Sequence, residues 1–473
     1  MHPATPFLSA VSRREALRQL ACGFGSLALA GLMQPALGRS ALPHFAPRAK
    51  RIIFLFMQGG VSQVDSFDYK PLLWKEAGNV RHFDDARSVA KTGKGAEQRV
   101  MKPLWEFKQR GASGLWVSDL FPHIAGMADD LCVIRSMETE GVAHGPATLF
   151  LHTGSTNFVR PSMGSWISYG LGTENSNLPA FVTISPSMGN GGPRNYGPAF
   201  LPSRHQGTAI GRSGLPAKDS GIGNLGHPQR EAAEEQSQME LLRSLNAAQS
   251  LHHAGNSDVD AMMESAELAW RLQSAAPDLL DLSKESAATQ ALYGIGEKHT
   301  DNYGRQCLMA RRLAEAGVRF IQVNYGDNSN NPAWDQHSNL PKHGDHAAAT
   351  DKPVAGLLRD LKARGLLEDT LVWWGGEFGR TPYAEKNGTG RDHNPGGFTV
   401  WLAGAGVKRG IAYGETDDFG HRAIAQRVHM HDLHATLLHL LGINHEALTH
   451  RHDGRHFRLT DVHGRIVRGI LDT

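Results

Sequence analysis

Short, largely apolar runs alternate with amphipathic stretches along most of this chain. Arg51 to Met57, Cys132 to Arg135, Phe181 to Ile184, Val318 to Asn324, Leu371 to Trp374 and Phe398 to Ala403 read as strands. Their hydrophobicity is nearly continuous, which predicts burial on both faces of a sheet. Gln306 to Ala316 and Val354 to Arg364 read as helices, and each stops at a glycine, Gly317 or Gly365, just before a strand. A last helix is predicted from Asp432 to Leu441. Recurring helix–glycine–strand units imply an α/β fold with a mostly parallel sheet sandwiched by helices.

A different texture interrupts this rhythm at 186–300. Pro186 to Gly226 is rich in Gly, Ser, Pro and Asn and reads as a long surface loop or partial lid. Glu231 to Leu292 carries Met239, Leu242 and Leu245 on helical spacing and reads as a helical insertion. It could shape substrate access or simply cover the sheet. Apart from the leader, residues 39–473 therefore form one α/β domain with this insertion.

The first 38 residues fall outside the pattern. Ser12-Arg13-Arg14-Glu15-Ala16-Leu17 precedes a Gly-rich apolar segment, Leu20 to Met33, and then Pro35 to Gly38. Twin arginines, a weakly hydrophobic core and small residues before a cut predict a twin-arginine export signal cleaved near Gly38. The competing reading is an amphipathic first helix. The run is too short and glycine-rich for a stable transmembrane segment. Export through the twin-arginine translocase implies a periplasmic or extracellular protein, delivered folded and often with a metal already inserted.

Cleavage removes three Arg and one Glu, taking the net charge from +2 to about 0. A neutral protein has no broad electrostatic attraction for nucleic acid. Cys132 and Cys307 remain, too few for a disulfide framework but enough for one bridge. Hydrophobic residues at 40% and charged residues at 20% exclude a disordered or membrane-embedded chain.

Five places put carboxylate or imidazole at a strand end. Asp65 and Asp68 follow the first strand, and His144 follows the second. Asp335 and His337 follow the Val318 to Asn324 strand, Glu377 caps Leu371 to Trp374, and Asp392-His393 precede Phe398. Each pair alone is usually a hydrogen-bonded loop. Their shared place at the carboxyl ends of parallel strands, where such sheets bind ligands, points to a divalent metal site. Asp65, Asp335, His337, Glu377 and His393 are the candidate ligands, suited to Zn, Mn or Ca. Arg380 and Arg391 flank the site and could clamp an anionic ester, or form structural ion pairs instead.

The stretch from Gly365 to Ile443 resembles the later half of the alkaline phosphatase and sulfatase superfamily. Glu377 and Phe378 stand where that pattern has Asp and His. His144-Gly-Pro-Ala-Thr-Leu-Phe-Leu-His-Thr-Gly154 is similar to the sulfatase nucleophile helix, with His144 at the nucleophile position and Pro146, Thr153 and Gly154 retained. Without Cys or Ser there, the resemblance excludes formylglycine chemistry. It leaves His144 as ligand, general base, phosphoryl acceptor or a loop-bonded histidine. Gly59-Gly60 replaces the first-strand Asp pair, so the resemblance implies one metal rather than two.

The chain resembles more fully a bacterial family of exported, sulfatase-like proteins, domain of unknown function 1501. The shared motifs are Gly59 to Lys70, Gly114 to His123, Trp334 to His337, Gly376 to Pro382 and Gly390 to His393. The resemblance implies an alkaline-phosphatase-like fold and a metal-dependent hydrolase of sulfate, phosphate or related esters, with His144 and Arg380 catalytic. The alternative is a catalytically silent pseudo-sulfatase that binds polysaccharide or an envelope partner.

Overall fold

Six of the runs above are strands of one nine-stranded sheet in a computed structural model of the protein. The model describes residues 43–84, 96–222, 232–250, 257–385 and 388–472. The export signal read at 1–38 lies outside the described residues. The sheet strands are β1 (Arg51–Met57), β2 (Leu131–Glu138), β3 (Phe181–Ile184), β4 (Thr208–Ile210), β5 (Phe320–Tyr325), β6 (Thr370–Gly375), β7 (Phe398–Gly404), β8 (Ile411–Tyr413) and β9 (Val428–His429). Their spatial order is β8-β2-β7-β6-β1-β5-β3-β4, with β9 also on β2. All pairs are parallel except those of β7, which runs antiparallel to both β6 and β2.

The sheet divides the apolar side chains into two cores. Along β1, Ile53, Leu55 and Met57 face one side while Ile52, Phe54 and Phe56 face the other. The period of two in side-chain direction separates them. On the first side, α3 (Asp301–Glu315) and α4 (Lys342–Ala363) contribute Leu308, Leu313, Leu357 and Leu361. On the second, α1 (His144–Thr153), α2 (Met163–Leu171) and α5 (Met430–Leu440) contribute Leu151, Trp166 and Leu437. Adjacent Trp373 and Trp374 on β6 are both buried, one in each core. Trp373 stacks on Phe54 at 3.6 Å between centroids.

The insertion contains helices Ala232–Ser250 and Ser257–Leu280. Leu242 and Leu245, which mark the helical spacing of the insertion, are 43% and 54% exposed. Cys132 and Cys307 are free and sit in opposite cores, so the bridge left open by the sequence does not form. Among the described residues no helix is long and apolar enough to cross a membrane.

Two histidines are sealed into the second side. His152 Nδ1–H donates to Thr148 O (2.7 Å) and His434 Nε2–H to Leu151 O (2.8 Å). Burial pushes their imidazoles down to about 4 and about 3. The unfolded chain takes up these protons below about pH 6.5, whereas the fold refuses them until about pH 4 or 3. Stability is therefore full above pH 6.5 and falls as the pH drops through that window. Denaturant unfolding at pH 7 and pH 5 should show a loss of about 2 kcal/mol for each such histidine. A His434→Gln variant should lose that much less between the two pH values, and an unchanged pH dependence would contradict the assignment.

Candidate metal centre

The carboxyl ends of β1, β5 and β6 meet at Gly59. Its φ of +117° suits glycine, and a Cβ there would stand 2.7 Å from the backbone nitrogens of Trp334 and Asp335. Glycine thus lets the β1 end approach the loop that follows β5. The Gly59 N–H also points at Glu377, 3.0 and 3.1 Å from its two carboxylate oxygens. Over this junction folds a hairpin, Gly379–Ala384 paired antiparallel with Arg391–Asn394. Gly390 of that hairpin presses on the His337 carbonyl, where a Cβ would come within 2.2 Å.

Four side chains converge there: His144, Asp335, His337 and His393, with one ligand atom from each lying within 4.8 Å of the others. Asp335 is central and its side chain only 2% exposed. Its Oδ1 is 2.9 Å from His337 Nε2 and 3.2 Å from His393 Nε2. Its Oδ2 is 3.2 Å from His144 Nε2, off the line of a good hydrogen bond. The His337 and His393 Nε2 atoms are 2.9 Å apart.

Each imidazole is oriented from behind. His144 Nδ1 bonds Glu377 Oε1 (2.7 Å), His337 Nδ1 bonds Glu385 Oε2 (2.5 Å), and His393 Nδ1 bonds the Val142 carbonyl (2.7 Å). Ionised carboxylates and carbonyls only accept, so every Nδ1 carries its proton and every neutral ring turns an Nε2 lone pair inward. Three lone pairs and a carboxylate facing one point repel one another unless a cation lies between them. Burial alone would lower His144, but Asp335 and Glu377 overcome it and raise the imidazole above its usual range. Asp335 raises His337 likewise. Burial dominates at His393 and brings it down to about 4. Burial would raise Asp335 itself, but the three imidazoles and Arg380 hold it far below the usual carboxylate range.

The donor set fits a metal ion. Tetrahedral Zn²⁺ with bonds of about 2.0–2.1 Å separates its ligands by about 3.3 Å, close to the 2.9–3.2 Å among the Asp335 Oδ1, His337 Nε2 and His393 Nε2 atoms, with the whole set within 4.8 Å. Second-sphere acceptors on ligand imidazoles are the usual arrangement around such ions. The side chain of His337 is 30% exposed, so the cluster faces solvent on that side.

Asp335, His337 and His393 come together as metal-ligand candidates, and His144 joins them. Glu377 stands behind His144 rather than in the cluster, with both oxygens on Gly59 and one on His144. Asp65 does not reach it, because Ser62 Oγ (2.5 Å), Leu104 N (3.0 Å) and Arg391 Nε (2.8 Å) take its carboxylate. Arg380 is fully buried and cannot clamp a substrate as expected. Its guanidinium donates to Asp335 Oδ1 (2.7 Å) and to the carbonyls of Gly59, Gly60, Trp334 and Arg391. Glu385 and the Val142 carbonyl were missed. Neither carries a sequence signal, since their role depends on where the hairpin and the turn before α1 happen to meet the rings.

The Asp65–Arg391 pair, with both side chains at 0% exposure, fastens the hairpin to the β1 loop. An Arg391→Leu substitution strands a buried carboxylate and should cost about 3–5 kcal/mol in denaturant unfolding. Adding Asp65→Leu should recover part of that loss, and a double variant no better than the single one would contradict the pairing.

No curated protein matches the chain. Among solved structures it is similar to the alkaline phosphatase of the Antarctic bacterium TAB5, at 11% identity and TM-score 0.34, covering 84% of this chain and 99% of that one. It is also similar to the lipoteichoic acid synthase LtaP of Listeria monocytogenes, at 10% identity and TM-score 0.33, covering 90% and 77%. A third likeness is to the PsFucS1 sulfatase of Pseudoalteromonas sp., at 13% identity and TM-score 0.36, covering 89% and 70%. The family model for proteins of unknown function DUF1501 matches residues 49–471, and the chain belongs to that family.

Proposed function

We propose that this protein is an exported hydrolase built on a single divalent metal ion held by His144, Asp335, His337 and His393. The observation that carries the reading is the inward convergence of three Nε2 lone pairs on a buried carboxylate, each ring fixed at Nδ1. Three imidazoles favour Zn²⁺, then Mn²⁺, and disfavour Ca²⁺, which takes six to eight oxygens. A bound ion of this kind supplies Lewis acidity, polarising an ester oxygen and making water nucleophilic near neutral pH. Glu377, Glu385 and the Val142 carbonyl hold the rings in one tautomer, while Arg380 holds the Asp335 carboxylate. The side chains of Glu385 and Asp392 are 31% and 29% exposed beside the open side of the cluster. With Arg380 and Arg391 both buried in structural pairs, a sulfate or phosphate ester would be recognised through the metal.

A specific observation favours a second reading, in which the protein holds metal without catalysis and binds a polysaccharide or envelope partner. Four protein ligands are the set of a closed structural site, whereas catalytic zinc keeps one position open.

Protein purified after export should contain one Zn or Mn per chain. With metal, it should hydrolyse at least one of p-nitrophenyl sulfate, p-nitrophenyl phosphate or bis-p-nitrophenyl phosphate, and lose that activity on chelation. Stoichiometric metal without turnover selects the second reading. A folded protein that takes up no metal sinks both. Glu377→Gln should lower metal affinity about 10–100-fold in a chelator competition while leaving the fold intact. For export, replacing Arg13 and Arg14 together by Lys should leave the protein in the cytoplasmic fraction.

A further inference from the structure

At the far end of α1 lies a cavity of about 490 Å³, unrelated to the metal cluster. The helix starts at His144 and ends at Thr153, so the cavity stands about 15 Å away along its axis. Gly154, the loop after it, His431 at the start of α5 and the strand Arg455–Phe457 form its walls.

Arg160 is the unusual group there. Its guanidinium carbon sits 4.2 Å from the centroid of Phe457, with no hydrogen bond or ion pair among the described residues. Arg455 lies over the same ring at 4.8 Å. The other cations of the cavity are spoken for: Arg455 pairs with Asp461, and Arg458 NH1 lies 3.5 Å from Glu446. Burial strips Arg160 of water and pulls its guanidinium below its usual range; Asp461 opposes this and Arg455 adds to it. An unpaired, half-dehydrated cation close to a second cation is unfavourable without an anion, and Arg forks suit oxyanions.

Two further features fit a ligand. His431, 3% exposed and lining the cavity, donates Nε2–H to Gly154 O (3.1 Å), and its buried Nδ1 has no partner. Phe158, also lining the cavity, is 64% exposed, and the Arg160 guanidinium carbon lies 5.7 Å from its ring centroid, so cation and exposed ring stand side by side. The volume is that of a small-molecule site.

The geometry points to a second binding site, around Arg160, for an organic oxyanion: a sulfate, phosphate or carboxylate group on a sugar-sized body that rests on Phe158. It stands on observations independent of the metal centre.

Isothermal titration of the exported, full-length mature protein tests this, with glucose 6-sulfate, glucose 6-phosphate and glucuronate as anionic probes and glucose as the neutral one. At least one anion should bind at a site that persists in the chelated protein, with glucose at least about tenfold weaker there. Arg160→Ala should weaken that anion at least about tenfold without lowering the melting temperature. Arg160→Gln, which keeps a planar group over Phe457 but no charge, should weaken it similarly and covers the case in which the alanine variant misfolds. Chelation should leave binding unchanged. Failure of all three anions to bind, or binding undiminished in both Arg160 variants, overturns the site. Loss of binding on chelation also overturns it, since the anion then sits on the metal.

Discussion

A carboxylate taken out of water must be matched by charge, and Asp335 is such a group at the meeting point of three loops. Arg380 supplies the match, and its remaining donors go to carbonyls of the β1 loop, the β5 loop and the facing hairpin strand. One cation therefore sets the spacing between the strand ends and the carboxylate on which the imidazoles converge. Removing it would do more than weaken a ligand, because four backbone carbonyls around a fully buried side chain would lose a donor. Charge at this site is structural before it is chemical. That is why an arginine with the right sequence position for gripping a substrate has nothing left to grip with.

The imidazoles are governed by a subtler constraint, namely which nitrogen bears the proton. Three unrelated acceptors answer it the same way: two carboxylates and one main-chain carbonyl. His144 adds a further argument from its place at the first position of α1. A helix start disfavours a positive charge, while Glu377 and Asp335 favour one. A neutral ring ligating a divalent cation satisfies both demands, since the cation answers the carboxylates and stands beyond the helix end. Protonated imidazole satisfies only the second. The ring of His144 is thus placed to serve as a ligand, with Nδ1 held by Glu377 and Nε2 turned toward Asp335.

Much of the fold was legible because burial on both faces writes itself as continuous apolar runs. Phe181–Ile184 matches its run residue for residue, and β1 does likewise. Strand direction was not legible: β7 is as apolar as its neighbours, and nothing in hydrophobicity separates a parallel from an antiparallel strand. Thr208–Ile210 was lost inside a loop reading because three residues carry no period. The Gly379–Asn394 hairpin was invisible for a different reason. It buries Arg380, Thr381, Arg391 and Asn394, polar residues that mark an exposed segment unless their partners are known. The candidate site was legible to the same depth. Asp335, His337 and His393 could be picked out as imidazole and carboxylate at strand ends, while Asp65 and Glu377 looked equivalent and are not. What separates them is the identity of their hydrogen-bond partners, of which Arg391 for Asp65, and Gly59 and His144 for Glu377, come from positions more than 200 residues away.

The distribution of charge finally bears on what the two ends of α1 can recognise. At its start, Arg380 and Arg391 are both consumed by buried partners, and among the described residues the solvent side shows Glu385 and Asp392. In the proposed reading, attraction for an anion there would come from a metal ion held by the cluster, and would be short-ranged and specific to groups that can ligate. At its end, Arg160 presents a guanidinium without a hydrogen bond or ion pair among the described residues, beside the exposed Phe158 ring, and the site proposed there would select for charge and shape without ligation. The first arrangement discriminates by the chemistry of the group bound, the second by its charge and the body that carries it. Between the two ends, α1 is packed into the second core through Phe150 and Leu151.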